Sequence, residues 1–383
     1  DSVKEPPRHL GGVIRHLGPG LILAGSVVGS GELIATTRTG AEAGFSLLWL
    51  IVLGCVVKVF AQIEICRHCI THSETTVSAM HRIPLVGRPI AWFWLLTFLV
   101  GLGQLGGIVG GVGQALQLAV PLPLDAGPQV WAAVVTLVTI VALVKGGFGF
   151  IQWFCTILVG TFTLVTIVNL VALQTQAEWA ISGADLREGL SFGLPPVVEG
   201  RAPLITAIAA FGIIGVGAAE LVSYPYWCLE KGYGRWTGPQ DGSESWVRRA
   251  RGWLRVLSYD AWGSMAIYTL STVAFFLLGA AVLHREGLVP ERTQMISTLV
   301  AMYEPVFGAA GAAVLLVGAV AVLFSTFFVS SAQKARLMAD ALQVFRFLRG
   351  RPVDQALWVR RFSIFFPLLS LLIFLLYSRP AQL

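Results

Sequence analysis

The chain has 383 residues, of which 55% are hydrophobic and 13% charged, with a formal net charge of +6. Soluble domains carry about 25% charged residues, so this much apolar surface calls for lipid as its solvent and excludes an ordinary soluble enzyme. The positive balance does not point to nucleic acid, because Lys and Arg fall in short segments between apolar runs, the pattern that orients a membrane protein.

A basic, polar tail (1–17) opens the chain without the pattern of a cleavable signal peptide. Because the first residue is Asp1 rather than Met, a preceding segment is expected. Nine spans of about 20 apolar residues are then expected near 18–38, 45–69, 89–117, 128–146, 150–174, 203–229, 256–283, 305–333 and 358–378. They group as a first repeat (18–174), an extracytoplasmic loop (175–202) and a second repeat (203–383) that contains a basic loop (231–255). With the N-terminus placed in the cytoplasm, only Arg38, Arg187, Arg201, Arg285, Arg292 and Arg379 of the 27 Lys and Arg fall on the outer side. Lys58 lies within a span. This bias predicts an integral protein of a bacterial inner (plasma) membrane with a cytoplasmic N-terminus. The basic and aromatic loop, with Trp246, Arg248, Arg249, Arg251 and Trp253, is expected as a helix lying on the membrane surface.

The first span reads Val28-Gly29-Ser30-Gly31-Glu32-Leu33 in its middle, and the sixth reads Val216-Gly217-Ala218-Ala219-Glu220-Leu221. Glycine weakens a helix by about 1 kcal/mol relative to alanine. Backbone released from a helix at membrane depth is tolerated only where it is packed in protein or lines a cavity. Two such interruptions in corresponding positions point to a transport site at the midplane. The expected substrate-binding residues are therefore Gly29, Ser30, Gly31 and Glu32 with Gly217, Ala218, Ala219 and Glu220. The third span is crowded with glycines from Gly101 to Gly113, which suits close helix packing beside that site.

At these residues the sequence resembles the NRAMP family of metal transporters. The likeness runs through Gly18-Pro19, Gly31, Gly40-Ala41, Gly44, Leu47-Leu48-Trp49 and Gln62, and continues through span six, Ser330-Ser331 and Arg360-Arg361. The resemblance implies an all-α membrane protein of LeuT type, a 5+5 inverted repeat with helices one and six broken, of which nine helices are visible here and the tenth is expected beyond Leu383. It also implies a metal site built from Asp-Pro-Gly-Asn in helix one and Met-Pro-His in helix six. Here those stretches read Gly29-Ser30-Gly31-Glu32 and Ala219-Glu220-Leu221, and the acidic residues the resemblance implies in helix three are absent, with Gln104 and Gly107 in that region. Soft and imidazole ligands select transition metals, and none remains.

Two substrates fit what is left. A small anion such as bicarbonate suits half-helix N-termini, bare glycine backbone, Ser30 and the mid-span cation Lys58. A hard divalent cation such as Mg²⁺ suits Glu32 and Glu220, with Mn²⁺ or Fe²⁺ less fitting and a non-transporting sensor also open. Coupling to Na⁺ through Thr326, Ser330 and Ser331, or to H⁺ through a glutamate, is expected, with Lys58 and Gln104 as charge-balance candidates. The partners are thus a small inorganic ion and the lipid bilayer, with no cofactor. None of the six histidines lies mid-span, which disfavours an intramembrane hydrolase. The odd set of five cysteines argues against a disulfide framework, and Cys66, His68, Cys69 and His72 make at most half a zinc site.

Overall fold

The computed structural model describes residues 3–146, 148–195, 203–290, 295–347 and 354–377. Arg201, Arg292 and Arg379 of the charge census lie outside them, as do residues 196–202 of the expected outer loop. Among the described residues the chain is helical and contains no strand. In chain order it forms α1 (Leu10–His16), α2 (Pro19–Val27), a π-helical turn (Ser30–Thr36), α3 (Thr37–Ala43), α4 (Leu48–His72) and α5 (Thr76–Arg82). Then come α6 (Gly87–Val100), α7 (Leu102–Ala119), α8 (Gly127–Lys145), α9 (Phe148–Leu173), α10 (Gly183–Gly189), α11 (Pro203–Ile213), α12 (Ala218–Lys231) and α13 (Tyr233–Thr237). The last group is α14 (Glu244–Leu278), a π-helical end (Gly279–His284), α15 (Met295–Val300), α16 (Glu304–Phe307), α17 (Gly311–Val344) and α18 (Gln355–Tyr377).

Among the described residues, seven helical stretches are long and apolar enough to cross a membrane. They are α4, α6 with α7, α8, α9, α14 with its π-helical end, α16 with α17, and α18. The first and sixth expected spans are each split into two short halves, α2 with α3 and α11 with α12. The broken helices pack at the centre: α2 lies against α9, α12, α14 and α17. Helices α8, α9 and α18 present much of their surface outward, as lipid-facing helices do.

Close backbone approach fixes one end of this core. A Cβ on Gly40 of α3 would collide with the Phe276 carbonyl, and one on Gly279 would collide with the Thr37 carbonyl. Reciprocal glycines thus let α3 and the end of α14 cross at van der Waals distance.

Two helices run further than the apolar pattern suggests. Helix α14 starts at Glu244, so residues 244–255 of the basic loop are its first turns rather than a separate surface helix. Trp253 is fully buried there. Its indole N–H donates to the Lys4 carbonyl (3.0 Å), and Tyr233 donates to the His16 carbonyl (2.8 Å). The N-terminal tail is thereby strapped across the start of α14. Helix α17 continues to Val344, eleven residues past the expected end at 333.

Candidate functional site

Helix α2 stops at Val27, and the chain passes through Val28 (ψ 67°) and Gly29 (φ −154°, ψ −118°) before it restarts as the π-helical turn. Space requires glycine at position 29. A Cβ there would fall inside Thr326 Oγ1 and lie 2.6 Å from Thr326 Cβ. The second break runs from Ile214 to Gly217, with Gly215 in the left-handed region (φ +67°) that only glycine adopts without strain. Both interruptions therefore end on the glycine that opens each Gly-to-Glu stretch, and the residues after it form the first turn of the restarted half-helix.

A cavity of about 240 Å³ lies between the breaks. Of the residues singled out from the sequence, Gly31, Gly217, Ala218, Ala219, Glu220, Gln104, Thr326 and Ser330 line it. Glu32, Lys58, Gly29 and Ser331 do not, and the side chain of Ser30 lies outside those described. At about 30 Å³ per water, the space takes a small ion with part of its hydration shell.

The two glutamates, equivalent in motif, have opposite fates. Glu32 is wholly buried. Its Oε2 accepts from Thr36 Oγ1 (2.7 Å) and its Oε1 from the Gly215 N–H (3.3 Å), so it grips the second break from behind. Glu220 faces the cavity, where its Oε1 accepts from the Ser26 hydroxyl (3.1 Å) and ties α12 to α2.

Lys58 is drawn away from the cavity by backbone. Its ammonium donates to the carbonyls of Phe211 (2.5 Å) and Ile214 (2.6 Å), at the C-terminal end of α11. Those carbonyls lack intrahelical partners and carry the negative end of the helix dipole. Lys58 thus caps a half-helix.

The cation that does line the cavity is Lys334 on α17, one residue past the expected end of the eighth span at 333. It is 8% exposed. Its ammonium sits 5.2 Å from the Phe98 ring centroid and makes no hydrogen bond or ion pair among the described residues. Gln333 beside it donates from Nε2 to the Ala219 carbonyl (3.3 Å), and its Oε1 has no partner among the described residues. Ser26 is the third polar lining residue, with Lys334 and Gln333, that the sequence pattern did not mark. Thr326 and Ser325 direct hydroxyls at the Gly25 carbonyl (3.4 and 3.3 Å), and Thr326 also reaches the Ser26 carbonyl (3.5 Å). Ser331 Oγ is buried without a partner among the described residues.

Around the first half-helix a carboxylate on α14 acts as a remote cap. Asp260, 3% exposed, accepts from the N–H of Gly18 (2.8 Å) and of Gly20 (2.6 Å) and from the Tyr224 hydroxyl (2.8 Å). Further out, His68 and His72 stack at 4.3 Å and His68 pairs with Glu74 (2.9 Å). Cys66 and Cys69 are free and buried. Among the described residues no three His, Cys, Asp or Glu are grouped to hold a metal ion.

Residues 20–383 match the family described as natural resistance-associated macrophage protein-like, Nramp. Among solved structures, the chain is similar to a manganese transporter of Eremococcus coleocola crystallised with an aromatic bis-isothiourea compound. The two share 17% identity and a TM-score of 0.67, covering 97% of this chain and 72% of that one. It is also similar to Mhp1, a nucleobase-cation-symport-1 family transporter (13% identity, TM-score 0.61, 95% and 75% covered). A third likeness is to MhsT in complex with L-phenylalanine (15% identity, TM-score 0.55, 96% and 80% covered). At these identities the structures establish a shared LeuT-type fold. No curated protein is matched by the sequence.

Proposed function

The chain belongs to the natural resistance-associated macrophage protein-like (Nramp) family, and we propose that it is a secondary transporter carrying a small anion, bicarbonate foremost, by alternating access around the cavity between its broken helices. One observation carries the choice of anion: Lys334, an ammonium with no hydrogen-bonding partner among the described residues, belongs to the cavity wall. A buried lysine at membrane depth is costly and finds compensation in a functional partner. The N-terminus of α12 adds backbone N–H groups at Gly217–Ala219, with no side-chain cap among the described residues. A divalent cation would have to approach Lys334 with one cavity-lining carboxylate in its favour.

That carboxylate, Glu220, supports the second reading, in which Mg²⁺ binds through Glu220, the hydroxyls of Ser330 and Thr326, and water. In either reading the hydroxyls of Ser325 and Thr326 with the carbonyls of Gly25 and Ser26 make a place for a coupling Na⁺. Proton coupling is the alternative. The N-terminus faces the cytoplasm of a bacterial inner membrane in this scheme, in keeping with the positive tail.

The test is uptake of radiolabelled bicarbonate, Mg²⁺ and Mn²⁺ into proteoliposomes, with empty vesicles subtracting the passive CO₂ leak. Bicarbonate uptake is expected, reduced at least about tenfold by Lys334→Met, since a lost charged partner in a site costs about 2 kcal/mol or more. Metal uptake without bicarbonate uptake refutes the anion reading, as does full bicarbonate flux in Lys334→Met. Bicarbonate binding without flux would make the protein a sensor.

A further inference from the structure

Resting on the anion reading, we propose that Glu220 makes the cavity selective for an oxyanion that still carries a proton, hydrogen carbonate being the simplest, over anions that can only accept hydrogen bonds. The cavity wall presents donors and an acceptor side by side. The donors are the Lys334 ammonium and the uncapped first-turn N–H groups of α12, a helix of 14 residues. The acceptor is Glu220. A carboxylate has only lone pairs to offer, and the one nearby hydroxyl bonded to it, Ser26, has already given its proton to Oε1.

Glu220 Oε2 remains. It makes no hydrogen bond among the described residues, and it folds back over the N-terminus of its own helix, 2.7 Å from where a Cβ on Gly217 would stand. It therefore lies over the backbone donors that an anion would use. An anion such as nitrate, seated on those donors, sets its own lone pairs against Oε2 with no hydrogen between them. Hydrogen carbonate has the same planar shape and one O–H. That group donates to Oε2 in a short, charge-assisted bond, while the other two oxygens face Lys334 and the half-helix N-terminus. The carboxylate that counts against a simple anion site becomes the element that reads the substrate proton.

Sites built around a substrate O–H reject analogues that lack it by about 10⁴–10⁵-fold when fully enclosed. Here Ala218 and Ala219 are exposed and Glu220 is only half-buried, so water softens the penalty, and discrimination on the order of 10²-fold is expected. The experiment is competition of nitrate and of formate against radiolabelled hydrogen carbonate in proteoliposomes, for the wild type and for Glu220→Gln. Nitrate is expected to compete on the order of 10²-fold more weakly than unlabelled hydrogen carbonate in the wild type. In Glu220→Gln, whose amide supplies a donor, that ratio should fall to within about tenfold of unity. Nitrate competing equally in the wild type overturns the inference even if the variant fails to fold, and so does an unchanged ratio in a folded variant. If hydrogen carbonate is not carried at all, the anion reading itself falls; if it is carried but nitrate competes equally, only the role of Glu220 falls.

Discussion

Replacing Asp260 tests how the first half-helix is held. The α2 N-terminus has orphan N–H groups and no side-chain cap of its own. Asp260, 242 residues away from Gly18 in sequence, supplies the missing acceptor and in the same stroke binds Tyr224 of α12. One buried carboxylate thus pins both half-helices to α14. In Asp260→Ala three donors lose their partner, and each buried unsatisfied donor costs about 1–3 kcal/mol. The lower bound is therefore about 3 kcal/mol, which lowers the melting temperature on the order of 5 °C or more. Asp260→Asn keeps one acceptor and should fall between Asp260→Ala and the wild type. Tyr224→Phe removes a donor and leaves the acceptor with its backbone partners, so its cost is about 1–2 kcal/mol. Because the two residues share a bond, the Asp260→Asn/Tyr224→Phe double variant should lose less than the sum of the singles. The assay is thermal melting of detergent-purified protein followed by its 12 tryptophans, with amide hydrogen exchange over residues 18–28. Wild-type melting and unchanged exchange in Asp260→Ala would refute the capping argument.

Gly29→Ala should lower uptake at least about tenfold, because its methyl group has no room against Thr326 Oγ1 and Cβ. Gly31→Ala, where a Cβ meets nothing within 4 Å, should fold normally and serves as the folding control in the same melting measurement. Lys58→Met strands the carbonyls of Phe211 and Ile214 and should cost about 2–4 kcal/mol of stability by thermal melting. Its effect on hydrogen carbonate affinity should be smaller than that of Lys334→Met, and the reverse ranking would restore Lys58 as the anion's partner.

The broken helices were legible because their signal is local: glycine and small residues inside an apolar run, repeated in two spans. The cavity's charges were harder to read for one physical reason. Hydropathy ends a span where charge begins, yet a helix continues wherever its charged residues are covered by protein. Helix α17 runs to Val344 and α14 starts at Glu244. Lys334, one residue past the expected span 305–333, and Asp260, four residues into the expected span 256–283, are therefore buried inside the bundle. Lys58 was conspicuous by position, but its partners are backbone carbonyls of another helix, which leave no mark in the sequence. The paired glutamates show the limit of motif symmetry. Glu32 enters a π-helical turn that rotates its carboxylate into the protein, whereas Glu220 enters an ordinary first turn and faces the cavity.

The charge balance of the cavity bears on how a carrier of this kind completes its cycle. Lys334 and Glu220 are its lining charges among the described residues, one positive and one negative as ammonium and carboxylate. An empty site of that composition is neutral, so its return between orientations moves little net charge through the membrane field, which is worth about 2.3 kcal/mol per elementary charge per 100 mV. A bound monoanion adds one negative charge. A monovalent cation at the Ser325–Thr326 hydroxyls and the Gly25 and Ser26 carbonyls would restore neutrality on the loaded limb as well. A divalent metal in the same cavity leaves a net charge that a single coupling proton only increases. Where the family resemblance implies Asp and Met ligands, this chain has Gly29 and Ala219, and with Lys334 in the cavity wall the backbone break stays in place while a different ion would give a neutral loaded state.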